Sequence, residues 1–526
     1  MLATANPLDR RPVLRRMHRT GVLLLCGAFT LVVAYLGFAL VLSFRNPTIL
    51  TSGEEMWQRA MRFDASQPPV FPKYIDALWM DRLSCDQCPQ NWLYGAIIVP
   101  AELAGEVTAV ELTDEHGEEV TRFIDPPAKQ PIRDSRRSLL TEALSGHAPT
   151  ETGWKLGEWL LAEMEPKLAT VRALATQKPL GFVPAIHFDD RTTMFFGKRL
   201  LDTASQLPID DPWSASTRAC QYPIADTMID LTQWFLLDAR HAANRGDGQR
   251  VCEDLAAVMG LADQIDENPS ILAQVRSFTM RKWTWHEARD IVLTWPKAFD
   301  EAALAQLEAM MLRAGDGPLP LHLDGIRLDV EDMLQRSFTT NSAGGERVDG
   351  SVLSGSALAA LDINRGSFSG AQEEDAVAAF ILGPVIWAVM PTRQEVDALF
   401  KAELTQLESE CRLHPADRKP VVVPPVTFLD PGRGIIARYV HNFRLTMERL
   451  AAWQGERDGA RLAIAAERFR RTEGREPTSV PELVPKYVRE VPRDVITGLP
   501  RTRLDGRKEE AEADPRTRSG AGSTAR

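Results

Sequence analysis

Cys85-Asp86-Gln87-Cys88 is the spacing in this sequence with the most chemical promise. A redox pair of that kind needs its first cysteine at a helix N-terminus behind a strand, where the dipole lowers the thiol pKa. The flanking residues supply no such step. Haem attachment needs a histidine next, and Pro89 stands there. Zinc needs two further ligands at suitable spacing, and no second cysteine pair exists. A structural disulfide between Cys85 and Cys88 is the expected state if the compartment is oxidising. Of the other cysteines, Cys26 falls in an apolar run, and Cys220, Cys252 and Cys411 are scattered. With five cysteines outside that run, at least one stays unpaired within a monomer.

His286-Glu287-Ala288-Arg289-Asp290 opens like the helical zinc-protease motif, in which two imidazoles four residues apart share a face. Asp290 replaces the second histidine, so a polar helix face beside Trp283 and Trp285 is expected. Gly366-Ser367-Phe368-Ser369-Gly370 has the outline of a nucleophile elbow, but its central position is Phe368. No phosphate-cradling glycine loop stands in context. No catalytic residue, metal ligand or cofactor is therefore assigned. An enzyme would need a pocket in which His187, His241 or His286 converge with carboxylates, and spacing alone does not bring them together. The 12 tryptophans fall mostly on helical stripes or at turns, which core packing explains without a sugar-binding platform.

The elements that would position these residues begin with Gly21 to Phe44, a run without a charged residue. About 20 such residues cross a bilayer core as a helix. Arg10, Arg11, Arg15, Arg16 and Arg19 precede it, whereas Arg45, Glu54 and Glu55 follow. This asymmetry places the N-terminus in the cytoplasm and the bulk of the chain beyond the bacterial inner membrane. The run is longer than a signal peptide's apolar stretch, and Leu42-Ser43-Phe44-Arg45 is a poor cleavage site. The net charge of −11 argues against nucleic acid as a partner, because phosphate binding wants a basic face.

Mainly α architecture is expected behind this anchor. After the basic tail (1–20) and the membrane helix (21–44), residues 45–135 read as a small mixed α/β module. Trp92 to Val99 suggests a buried strand. Glu106–Leu112 and Glu119–Ile124 alternate around a turn at Asp114-Glu115-His116-Gly117, which predicts a β-hairpin. Residues 136–340 read as a helical-pair domain. Leu156, Leu160, Met164, Leu168 and Val171 form one stripe, with Pro166 expected to end, restart or kink that helix. Residues 178–224 read as an irregular connection. A helix over Ala225–Arg245 is stopped by Gly246. Asp247 caps the next, Asn268-Pro269 opens a third and Trp295-Pro296 closes it, and Asp300 caps a fourth. Helices joined so tightly pack antiparallel, in the manner of tetratricopeptide-like solenoids, though no clean repeat period is present.

Residues 341–372 form a Gly/Ser-rich loop by composition. Residues 373–500 read as a second helical region. It opens with the apolar run Ala376–Met390, expected to be core, followed by a helix over Arg393–Cys411. A Pro-rich linker over His414–Pro431 leads to a helix or helix pair over 434–473. The tail 501–526 has the composition of disorder.

Two stretches carry a resemblance. Residues 236–275, LLDARHAANRGDGQRVCEDLAAVMGLADQIDENPSILAQV, resemble uncharacterised membrane-anchored helical proteins of planctomycetes and some proteobacteria. Ala465–Pro477, continuing through Leu483–Val488 to Val491–Asp494, is similar to the end of that group. It is also similar to the segment behind the long helix of general-secretion pseudopilins. The shared form is a helix ended at Gly474, a redirection at Pro477 and a packed corner. The resemblance implies a membrane-anchored helical protein and no particular activity. The expected function is an extracytoplasmic scaffold or assembly factor binding protein or peptide partners. An envelope enzyme and an accessory part of a secretion apparatus are the competing classes.

Overall fold

In a computed structural model the described residues are 28, 30–36, 51–63, 66–79, 91–94, 96–100, 102–103, 109–113, 119–123, 132–151, 153–196, 217, 220–312, 321–337, 392–418 and 431–502. They are mainly helical. The chain divides into two compact units. The larger comprises Ser52–Asp329, Thr405–Val421 and Asn442–Arg526; the smaller comprises Met1–Thr51, Val330–Leu404 and Val422–His441.

In the larger unit, two short helices come first, α1 (Gly53–Ala60) and α2 (Phe71–Leu78). The Ser52 side chain accepts from the Glu55 amide and so caps α1. Four strands follow as two antiparallel pairs. β1 (Ala96–Val99) pairs with β4 (Ile132–Ser135), with Ala96 opposite Ser135. β2 (Ala109–Thr113) pairs with β3 (Glu119–Phe123), with Glu111 opposite Thr121. The hairpin expected from alternation is thus present. The strand expected over Trp92–Val99 is shorter, because Trp92–Tyr94 winds into a 3-10 turn. That turn places the Trp92 ring under the Arg136 guanidinium, 3.7 Å from its centroid.

Ser135 caps α3 (Arg136–Ser145), and α4 (Trp154–Ala175) packs against it. Pro166 lies inside α4 and neither ends nor restarts it. The helix runs through because Pro166 and Ala162, whose carbonyl loses its amide partner, both face solvent, where water can satisfy the carbonyl. The connection expected over 178–224 contains a short helix, α5 (Asp190–Phe196).

The centre of the unit is α6 (Ile224–Asn244), α7 (Gly248–Ile265), α8 (Ile271–Thr294) and α9 (Glu301–Leu312). Local chemistry fixes their ends. Gly246 turns the chain at φ +79°, and the Asp247 carboxylate accepts from the Arg250 amide. The third helix opens one step later than expected. Asn268 accepts from the Ser270 amide, and Ser270 is the cap. Trp295 closes α8, and Asp300 caps α9 through the Ala303 amide at 2.7 Å. α6 packs on α7, α7 on α8 and α4, and α9 on α7. α6 is buried nearly all round, with Met228, Leu231, Trp234, Phe235, Leu237 and Ala239 all shielded from solvent. A sheathed central helix of this kind can turn almost no face to water.

Three further helices are α10 (Asp324–Ser337), α11 (Arg393–Cys411) and α12 (Pro431–Glu473). The last is one continuous helix and not a pair. Within the larger unit its later part lies on α8 and α9. Leu450, Trp453, Ala460 and Ile464 join the main core. Arg471 donates to the carbonyls of Phe299 and Pro296 at 2.9 and 2.7 Å, and Arg468 pairs with Glu301 and Glu308. Gly474, at φ +70°, ends the helix, and Leu462, Phe469, Val480, Leu483 and Tyr487 close the expected corner as a small core of their own.

In the smaller unit, Val330, Met333, Val396 and Phe400 are buried. Arg336 meets Asp332 at 2.8 Å, and Gln335 donates to the Thr51 carbonyl at 2.8 Å. Residues 30–36 are helical, and Leu31, Val32, Val33 and Leu36 are exposed. Among the described residues no helix is long and apolar enough to cross a membrane, and the rest of the 21–44 run lies outside them. The loop 341–372, the apolar run Ala376–Met390 and most of the tail also lie outside the described residues.

α7 closely approaches the end of α4 at Gly260, where an added Cβ would stand 2.2 Å from the Ala175 carbonyl oxygen. Gly260→Ala is expected to cost about 1–3 kcal/mol through overpacking, read as a lowered urea midpoint. Gly246→Ala meets no neighbour and pays only for its left-handed φ, so it is the milder control.

Candidate functional site

The polar groups that could do chemistry concentrate on and around α6. Asp238 accepts from Arg172 of α4 at 3.0 Å and from Arg250 of α7 at 2.7 Å. Asp254 of α7 is wholly buried and accepts from the Arg172 Nε at 2.7 Å. Burial, then the Asp238 charge, holds the Asp254 carboxyl well above the usual range, and Arg172 and Arg250 oppose this. Two residues after Asp238, Arg240 meets Glu287 of α8 through two bonds of 2.9 and 2.7 Å. Its third nitrogen donates to the carbonyls of Leu144 and Gly146 behind α3. Arg281 spans Asp263 and Asp266 at 2.8 and 2.6 Å. Each arginine therefore bridges separate elements, and the planar guanidinium serves several acceptors at once.

The grouping most like a reactive site is at the first half of α6. Asp230, 3% exposed, accepts from the Tyr94 hydroxyl at 2.8 Å and lies 3.4 Å from Arg137. Burial raises the Asp230 carboxyl above its ordinary range, with Arg137 and the Tyr94 bond opposing. Burial and the same carboxylate push the Tyr94 phenol up. The buried Thr227 hydroxyl beside the Tyr94 phenol opposes that rise, and Arg276 pairs with Asp226 at 2.9 Å at the rim. A carboxyl of raised pKa against a tyrosine and an arginine can hold or pass a proton, or accept a bond from a polar ligand.

The residues singled out in the sequence do not come together. Cys85 and Cys88 lie outside the described residues, as do Gly366–Gly370. Cys252 is buried, its Sγ 3.4 Å from the Ala303 carbonyl, and Cys220 and Cys411 are half-buried. His187 is exposed on the stretch before α5. His241 is 1% exposed on α6, its ring 4.0 Å from Trp154 and directly over Gly157, where a Cβ would stand 2.8 Å from Nε2. Neither of its ring nitrogens has a hydrogen-bond partner, and burial lowers its pKa to about 4. His286 is on the outer face of α8, beside Asp290, Arg289 and Glu456. Trp285 behind it is fully buried, so that face is polar on one side only. Sequence reasoning missed Asp230, Asp238 and Asp254. Their one sequence signal is a carboxylate set within an otherwise apolar helical stripe.

The chain matches no protein-family model, no curated protein and no solved structure.

Removing one partner of the Arg240–Glu287 pair strands the other in the core. Arg240→Leu is expected to cost about 3–5 kcal/mol, and Arg240→Leu with Glu287→Leu together to recover a good part of it. Chemical denaturation of the three proteins measures both. His241 titrates in the opposite sense to a stabilising group. Its folded pKa lies below the unfolded value of about 6.5, so its contribution is complete above that pH and fades towards pH 4. His241→Phe is expected to flatten the loss of stability over this window, which amounts to roughly 3 kcal/mol.

Proposed function

We propose that this chain is a membrane-anchored helical scaffold of the bacterial cell envelope. A helix at roughly residues 21–44 holds it in the inner membrane. Its helical body stands on the extracytoplasmic side and binds a protein or peptide partner. The observation that carries this reading is the exposure of Leu31, Val32, Val33 and Leu36 within a helical stretch of an uncharged run. A core helix would hide those side chains; a bilayer is the medium in which they need no cover. The five arginines ahead of the run, against Arg45, Glu54 and Glu55 behind it, give the orientation.

The scaffold role is supported by what the buried charges do. Arg172 and Arg240 each bind carboxylates or carbonyls from two other elements, and Arg281 ties α8 to the end of α7, which fixes the helices relative to one another within the larger unit. Helical pairs held in this way offer stable surfaces for a partner. A rigid turn near the C-terminus adds an exposed aliphatic tip. Asp494 accepts from the amides of Ile496 and Thr497, Arg493 makes two bonds to Asp417, and Ile496 and Leu499 remain exposed.

The full chain is expected to stay in the membrane pellet after alkaline carbonate extraction, and the chain lacking 21–44 to appear in the supernatant. A reporter fused after residue 60 is expected to be active outside the cytoplasm. Release of the intact chain by carbonate, or reporter activity confined to the cytoplasm, would overturn the reading. Crosslinking in intact cells is expected to recover a defined protein partner.

A further inference from the structure

His286 is faced by carboxylates from two elements of the larger unit. Its Nε2 lies 3.3 Å from Asp290, one turn further along α8, and its Nδ1 lies 3.5 Å from Glu456 on α12. Arg289 enters the same space. One Nη donates to Glu456 at 2.9 Å and the other to His286 Nδ1 at 3.0 Å, while Nε lies 3.4 Å from Asp290. Lys282, also on α8, adds positive field at Glu456. These are the charged groups that face the imidazole and its partner carboxylate from α8 and α12.

Two hydrogen-bond sets satisfy this group. With a neutral imidazole, Nε2–H faces Asp290 at 3.3 Å and Nδ1 accepts from Arg289. With an imidazolium, Nδ1 can no longer accept. Arg289 loses that bond and is repelled, and Nδ1–H turns to Glu456. The charge count favours the exchange. Of the groups that act on the imidazole itself, Asp290 and Glu456 are negative and Arg289 positive, so the imidazolium balances these three, while Lys282 acts on Glu456.

We infer that His286 is a pH-operated latch, whose protonation replaces Arg289 by Glu456 as its Nδ1 partner and tightens the seating of α12 on α8. The contact lies midway along the seam between these helices. The Phe278 and Trp453 rings lie 6.1 Å apart at one side, and Arg468 and Arg471 hold α9 and the loop before it at the other. The Arg468 and Arg471 contacts contain no imidazole, so among the described contacts of the seam the latch is the one built on a group that titrates near neutral pH. Glu456, with help from Asp290, holds the His286 pKa above its ordinary value. The latch is therefore engaged below pH about 6.5 and released as the pH rises through the raised value. Release loosens the helix that carries the corner at Gly474–Arg501. The inference does not depend on membrane anchoring.

The test is amide hydrogen exchange of the full-length protein at pH 5.5 and 7.5, corrected for intrinsic rates, over peptides within 450–464. In the wild type, local opening is expected to be roughly two- to fivefold less populated at pH 5.5, the range of a partly exposed ion pair. His286→Gln and Glu456→Gln are each expected to abolish that difference. His241 is present in all three proteins and acts with the opposite sign, so it cancels in the comparison. An undiminished pH effect in His286→Gln, or a wild-type seam that gains no protection at pH 5.5 relative to His286→Gln, would overturn the inference.

Discussion

The larger unit depends on the neutralisation of carboxylates that its central helix takes out of water. α6 is sheathed on nearly every side, yet it carries Asp230, Asp238 and Arg240 at 3%, 3% and 7% exposure. An isolated buried charge costs several kcal/mol, and no apolar contact offsets that directly. The chain's answer is to bring a guanidinium to each site from another element. Arg172 alone reaches Asp238 and Asp254, so α4, α6 and α7 share one cation. The geometry of the charges therefore constrains how the helices pack as strongly as their apolar stripes do.

Close backbone approach is the second constraint, and it serves the first. Gly260 lets α7 press against the end of α4, and Gly157 lets α4 lie against the His241 ring. A larger side chain at either position would move α4, and Arg172 with it. The two histidines beside this framework then behave oppositely. His241 is buried without partners and stays neutral because charging it would need desolvation. His286 is 48% exposed and set between carboxylates, which favour its charged form. Acid therefore weakens the centre and strengthens the seam.

Much of the local fold was legible in the residues. Gly246, Asp247 and Asp300 marked helix ends because capping is a contact between near neighbours. The Arg393–Cys411 helix and the stop at Gly474 were legible for the same reason. That Pro166 would neither end nor restart its helix was not legible, because a proline inside a helix is tolerated when the freed carbonyl faces water, and exposure is not a local property. The opening of α8 was misplaced by the choice between Asn268 and Ser270, two residues equally able to cap.

The candidate site was not legible, and the reason is separation. Arg240 and Glu287 are 47 residues apart, Arg172 and Asp238 66, and Arg172 and Asp254 82. By itself the sequence determined where most of the central helices begin and end, that the chain is mainly α, and that an uncharged run lies near its start. Only the tertiary structure decided which carboxylates lose water and which arginine reaches each. Desolvation depends on everything that packs around a group, and packing is set by residues far along the chain.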